Sequence, residues 1–311
     1  MKYESIKGVA SAAVGLIVAT SSLGCSRNHI EAINLANVGD KSLKVNVEGA
    51  IEKYEEATRL DPTNHLIFSK LANAYQKKED WDKMASTMAR AQAIAPEFAT
   101  YSYKRGLALT QKAAKDNNKD AYEEAKPPLQ KCVEIDPNYA ECYHELGTAM
   151  LWTDNEQGAI DNLTKAIEHD PSVGYFYPPL ADILIALKLY DNAEAVLKEG
   201  TRIIQGRDEQ SREQVYEMYS LLAMVQQARG DTSSVVSTLE KANEMAGDKH
   251  PEMGFNLGST YAVMNPPQKE KAVRLLNSFT KRVCKGAQAA EKFKDQCQTA
   301  NDLIQKLGGT Q

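Results

Sequence analysis

Prolines in this chain fall on a period. Pro62 and Pro96 stand 34 residues apart, and so do Pro137 and Pro171. Three of the four close an Asp-Pro phrase: "RLDPTN", "EIDPNY" and "EHDPSV". Proline lacks a backbone N–H and clashes with the preceding turn, so it stops a helix. A stop at fixed spacing divides the chain into units of equal length. Composition says the units are helical. Ala, Leu, Glu and Lys are frequent, aromatics are only 7%, and valine and isoleucine form no long alternating runs.

A period of 34 residues with a helix–turn–helix in each unit resembles the tetratricopeptide repeat, over roughly residues 46–283. Residues 140–173 carry the likeness best. Tyr143, Leu146 and Gly147 fall on a first helix, Ala159, Leu163 and Ala166 on a second, and Pro171 closes the unit. Small residues let two helices approach, and large ones fill the space between neighbours. Residues 65–98 follow with Phe68, Leu71, Ala72, Tyr75, Met88, Ala91 and Pro96, and with Met84 where alanine is usual. An earlier unit shows Ala50, Tyr54, Ala57 and Pro62 in its second half, after a degenerate helix at about residues 28–37.

Three departures matter. Pro96 and Pro137 are 41 residues apart, which places an insertion near "KAAKDNNKD". Pro127 and Pro128 fall inside the expected second helix there and are predicted to kink or restart it. The unit with Leu180, Ala181, Ala193 and Leu197 has no terminal proline, so its helix should run on through "EGTRIIQG". Two further units carry Leu222, Ala223, Leu239 and Ala242, then Leu257, Gly258, Tyr261 and Ala272, with a small insertion at "NPPQ". "AAEKFKDQCQTANDLIQKL" reads as a capping helix, which a solenoid end requires. The resemblance implies an all-α fold: a right-handed superhelical α-solenoid of about six to seven repeats, with the array at 46–285 and the cap at 286–311.

The first 24 residues read differently. "MKYESIK" carries Lys2 and Lys7, and "GVASAAVGLIVATSS" is uncharged and small or apolar. That order fits a secretory leader, and the stretch is short of the roughly 20 apolar residues of a membrane span. "SLGC", residues 22–25, resembles the lipobox of bacterial lipoproteins, in which cleavage before the cysteine accompanies its lipidation. Cys25 would then be the anchor and residues 25–45 a tether with the first helix. Ser22 departs from the usual large aliphatic residue, and it also suits ordinary leader cleavage at the same bond. By the enteric sorting rule, Ser26 directs such a protein to the outer membrane on its periplasmic face. A soluble periplasmic protein is the alternative.

Four cysteines remain: Cys132, Cys142, Cys284 and Cys297. An even number in an exported chain suggests disulfides. Cys132 and Cys142 lie five residues either side of Pro137, where an antiparallel helix pair would face them toward each other. Cys284 and Cys297 could meet through the loop "KGAQAAEKF" and staple the last helix. The alternative is that all four are small buried residues. No cysteine or histidine grouping has zinc spacing, so no metal or cofactor is expected.

Nothing points to an enzyme. "HEL" at His144 lacks the second histidine of a metalloprotease helix, and GxSxG, GxxxxGKS and GxGxxG are absent. A net charge of −5 with no basic cluster argues against nucleic acid. In this repeat family the first helix of each unit lines the inner face. Counting from each unit's start places Asn73, Tyr103, His144, Trp152, Tyr175, Asp182 and Phe255 there as candidate partner-binding residues, with Tyr103 and Trp152 equally open to a packing role. Asn73 matches one position of the clamp that grips C-terminal carboxylates, but Ser69 stands where that clamp needs lysine. The expectation is therefore a non-catalytic scaffold that binds a protein or peptide segment of an envelope complex, such as a pilus secretin or motility machine. It would meet the membrane through its lipid alone. The alternatives are a soluble periplasmic chaperone or adaptor, or a regulatory subunit of a cell-wall enzyme.

Overall fold

The computed structural model describes residues 12–286 and 291–308, with side chains from Arg27 onward except Thr232. Among the described residues there are helices and no strands. The chain divides after Asn155 into two compact units.

The first unit holds α1 (Ala12–Ser42), α2 (Val47–Leu60), α3 (His65–Lys77), α4 (Trp81–Ile94), α5 (Ala99–Asp116), α6 (Lys119–Ile135) and α7 (Ala140–Trp152). Within this unit each helix packs on its neighbours in the sequence. The core alternates very small and large side chains. Ala32 and Ala36 of α1 meet Ala50, Tyr54 and Ala57 of α2, and Phe68, Ala72, Met84 and Met88 continue the cluster. Met84 is fully buried, so the space that alanine leaves in other units is filled here by a flexible thioether. Gly106 allows the closest approach: a Cβ there would sit 2.4 Å from the Leu129 side chain.

The second unit holds α8 (Glu156–His169), a 3₁₀ turn (Gly174–Phe176), α9 (Tyr177–Ala186), α10 (Tyr190–Ile203), α11 (Glu209–Ala228), α12 (Thr232–Ala246), α13 (Pro251–Val263), α14 (Lys269–Val283) and α15 (Lys294–Lys306). Phe176, Tyr177, Leu197 and Met218 are fully buried. The last helix is held by Cys297, Ala300 and Ile304, which pack on Leu276, Phe279 and Val283 of α14.

The sequence expectations are modified at four places. The first helix is no short remnant: α1 reaches Ser42 and packs along α2. The insertion forms no loop. It lengthens α5 to 18 residues and α6 to 17, against 13 in α3 and 14 in α4. Pro127 and Pro128 do not restart α6, which continues across them. Tyr122, Ala125, Pro128, Leu129 and Cys132 are all buried on that helix, and this packing offsets the backbone bonds the prolines remove. Finally, α10 stops at Ile203, within "EGTRIIQG", and Gly206 takes a left-handed backbone just beyond.

A recurring turn separates the helices in five of the pairs. Glu79, Asn117, Asp154, Lys188 and Gly230 all have positive φ, between 48° and 75°. After each, an N–H reaches back to a carbonyl five residues earlier: Asp80 to Tyr75 at 3.0 Å, Asn118 to Ala113 at 2.9 Å, Asn155 to Met150 at 2.9 Å, Leu189 to Leu184 at 2.8 Å and Asp231 to Gln226 at 2.9 Å. This is the Schellman cap that satisfies the last helical carbonyls. Glycine fills it once, although the conformation favours glycine. The turn from one helix pair to the next uses aspartate instead. Asp61 accepts from Thr63 Oγ1 at 2.9 Å, Asp136 from the Asn138 N–H at 3.0 Å and Asp170 from the Ser172 N–H at 3.0 Å. The aspartate of each Asp-Pro phrase thus builds the turn that the proline begins.

Cys132 and Cys142 are paired across the α6–α7 turn, with Cα atoms 6.1 Å apart. Cys284 and Cys297 are paired between α14 and α15 at 5.8 Å. Both separations suit a disulfide.

Two predictions follow from these caps and pairs. Glu79→Gly and Lys188→Gly should each raise unfolding free energy by about 0.5–1 kcal/mol in denaturant titration, because strain at positive φ is relieved; a loss of that size would refute the assigned turns. In protein isolated under oxidising conditions, alkylation of the unfolded chain should leave Cys132, Cys142, Cys284 and Cys297 unmodified until reductant is added. Replacing Cys132 and Cys142 by serine should cost about 2–3 kcal/mol, and labelling of all four without reductant would overturn the pairing.

Candidate functional site

In the first unit, one face is built by α3, α5 and α7, and their side chains are tied from helix to helix. Lys104 of α5 donates to the Asn73 amide oxygen of α3. Desolvation lowers the Lys104 pKa, and no carboxylate pairs with it among the described residues. Tyr103 is half-buried with its ring 5.2 Å from that of Tyr139. His144 is half-buried and lies 3.4 Å from the neighbouring Glu145, whose carboxylate accepts the Thr110 hydroxyl at 2.6 Å. Trp152 is 53% exposed and lies flat on Tyr122 of α6, with ring centres 5.6 Å apart. Packing therefore engages both Tyr103 and Trp152. Trp152 alone of the two keeps a largely exposed face.

The second unit holds Tyr175, Asp182 and Phe255. Tyr175 is 40% exposed and meets Phe176 edge-on at 4.8 Å. Asp182 of α9 is exposed. Phe255 is half-buried, with its ring 5.3 Å from that of Phe279, and packs against the cluster that holds α15. Its neighbour Asn256 lines an opening on the same helix. One residue is about 100° of rotation on a helix, and the "NPPQ" insertion and missing proline left the phase of this unit unmarked.

That opening is a groove between α11 and α13, floored by Val235 and Leu239 of α12, with a volume of about 520 Å³. From α11 come Tyr216, Ser220, Ala223, Met224 and Gln227, and from α13 Met253, Asn256, Ser259, Thr260 and Val263. On α13, Asn256, Ser259, Thr260 and Val263 follow the i, i+3, i+4, i+7 row of one helical face. Met224 is 53% exposed and Val263 74% exposed. Among the described residues, no charged side chain lines the groove. Hydroxyl and amide groups alternate with apolar ones, which suits the backbone and side chains of a polypeptide.

Charge gathers at the end of the groove nearest the N-termini of α11 and α13. His250 is bracketed by two carboxylates, with Nε2 2.6 Å from Glu213 and Nδ1 3.1 Å from Glu252. Its ring stacks on Tyr216 at 3.8 Å. Burial, then the nearby Glu252 carboxylate, pushes the Tyr216 phenol up to about 12. One carboxylate pair has no such partner. Asp182 of α9 and Glu217 of α11 face solvent, yet the surrounding helices desolvate both and raise their pKa values, and Asp182 further raises Glu217. Neither has a cation among the described residues.

Sequence counting named Asp182 and did not name Tyr216, Ser220, Met224, Asn256, Ser259 or Val263, which line the groove. The row on α13 is legible once the helix start at Pro251 is known. The described residues hold no group of three metal-ligating side chains.

Residues 46–79 match the family model described as TPR repeat. Among solved structures, the C-terminal part of a TPR repeat-containing protein from Cytophaga hutchinsonii superposes with a TM-score of 0.60 at 16% identity, covering 82% of this chain and 98% of that one. Pseudomonas aeruginosa pilF gives 0.53 at 17% identity over 79% of this chain and 98% of its own. MamA from Desulfovibrio magneticus RS-1 gives 0.51 at 18%, over 57% and 97%. At such identities the likeness establishes the fold alone: an all-α solenoid of the tetratricopeptide kind.

The unpaired carboxylates make a pH prediction. A raised folded-state pKa means that ionisation penalises the folded chain above that pKa. The penalty disappears below the unfolded value, near 4. Asp182→Asn and Glu217→Gln should therefore raise the thermal midpoint at pH 7, and the gain should fade as pH drops through 5 to 4. A gain that persists at pH 3, or a loss at pH 7, would contradict the assigned environment.

Proposed function

We propose that this chain is a non-catalytic interaction scaffold. A lipid on Cys25 holds it at the periplasmic face of the outer membrane, where it supports assembly of an envelope machine such as a pilus secretin or motility complex. The observation that carries the binding role is the uncharged groove between α11 and α13, which leaves Met224 and Val263 open to solvent in a repeat fold built to present surfaces. Proteins or peptides are the ligands its lining suits.

Support for the location comes from the leader and from the cysteines. A charged start, an uncharged small-residue stretch and "SLGC" succeed one another in residues 1–25. The Cys25 side chain lies outside the described residues. Two cysteine pairs at bridging distance suit an oxidising compartment. More than one acyl chain would hold the protein firmly, whereas a single chain is marginal. Ser22 favours the second reading, a soluble periplasmic adaptor released by ordinary leader cleavage.

Globomycin, which blocks lipoprotein leader cleavage, separates these readings. Accumulated precursor, together with release of Cys25→Ala from the membrane fraction, is the expected result. Unchanged processing with the protein in the soluble periplasm would establish the adaptor instead. For the binding role, cells carrying Met224→Glu with Val263→Glu should lose the crosslinked partners of the parent protein while keeping its circular dichroism. An unchanged crosslink pattern would remove the groove from the interaction.

A further inference from the structure

The groove itself is neutral, but the carboxylates at its end have unequal fates. Glu213 and Glu252 are within hydrogen-bonding distance of His250. Asp182 and Glu217 have no cation beside them among the described residues, and they stand on α9 and α11, two helices in direct contact. Glu217, Ser220 and Met224 follow one another at i, i+3 and i+7, so the acidic pair continues the same strip of α11 that borders the apolar opening.

We propose that this strip receives an extended segment of a partner protein that carries a lysine or arginine near an apolar residue, the cation seated between Asp182 and Glu217 and the apolar side chain on Met224 and Val263. This rests on the scaffold reading above and adds the partner's chemistry. Two carboxylates desolvated by the surrounding helices, with Asp182 disfavouring the charge on Glu217, are relieved together by one incoming cation, whereas a neutral or acidic segment leaves the repulsion in place. The exposed methionine offers an adaptable apolar seat. Spacing follows from the helix. Glu217 and Met224 are separated by about 10 Å along α11, which an extended chain spans in about three residues. A segment running along α11 therefore places its basic residue about three positions from its apolar anchor.

The test is a random dodecapeptide library displayed on phage and panned on the full chain. Panning is repeated on Asp182→Asn/Glu217→Gln and on Met224→Glu/Val263→Glu, with folding checked by circular dichroism. Enriched peptides should carry Lys or Arg about three residues from Leu, Met, Ile or Phe. As synthetic peptides they should bind the carboxylate variant at least about tenfold more weakly, as expected for loss of a charged hydrogen bond. Added salt should weaken the parent complex and hardly affect the variant. Peptides that are lost on the groove variant but bind the carboxylate variant unchanged would overturn the cationic assignment and leave the scaffold reading standing. Acidic or uncharged enriched peptides would do the same. Peptides indifferent to both variants, or no enrichment at all, would count against the groove as an interaction surface and against this proposal with it.

Discussion

Close approach between neighbouring helices is the constraint from which the rest of the molecule follows. The Ala32, Ala36, Ala50 and Ala57 positions are fully or almost fully buried, and Tyr54, Phe68 and Met84 fill the gaps between them. Small residues bring the backbones together, and large ones restore interior density. Because each helix makes its main contacts with its sequence neighbours, burial is settled pair by pair. The remaining face of each helix is then free of packing duty, and that is where binding chemistry can be placed.

The turns serve the same end. Left-handed caps at Glu79, Asn117, Asp154, Lys188 and Gly230 close the first helix of a pair, while the aspartates at 61, 136 and 170 build the turn into the next pair. Both satisfy backbone groups locally, so few side chains are needed to join the helices. The insertion in the first unit shows how tolerant this scheme is. Extra residues lengthen α5 and α6 together, and the α5–α6 turn still carries its cap at Asn117.

Electrostatics distinguish the two units. In the first, Lys104 is desolvated and held by an amide. In the second, His250 lies between Glu213 and Glu252, while Asp182 and Glu217 have no cation beside them among the described residues. Uncompensated charge at the rim of an apolar opening confers selectivity among partners more than affinity, since it penalises the wrong sign.

The sequence by itself determined the fold class and most of the repeat boundaries. Proline blocks helical backbone wherever it follows an aspartate turn, and Ala, Gly and large apolar residues recur in register, so no tertiary information is needed to place the hairpins from Ala50 to Pro171. The continuity of α6 through Pro127 and Pro128 was decided only by packing, because buried Pro128, Leu129 and Cys132 outweigh a local penalty. Four of the five left-handed caps lie on non-glycine residues, and two of these, Glu79 and Lys188, are residue types that carry no turn signal. The groove was also a tertiary outcome. Asp182 was legible at its repeat position, but Phe255 and Asn256 differ by one step of helical rotation, and only the packing of Phe255 on Phe279 fixes which of them faces the opening.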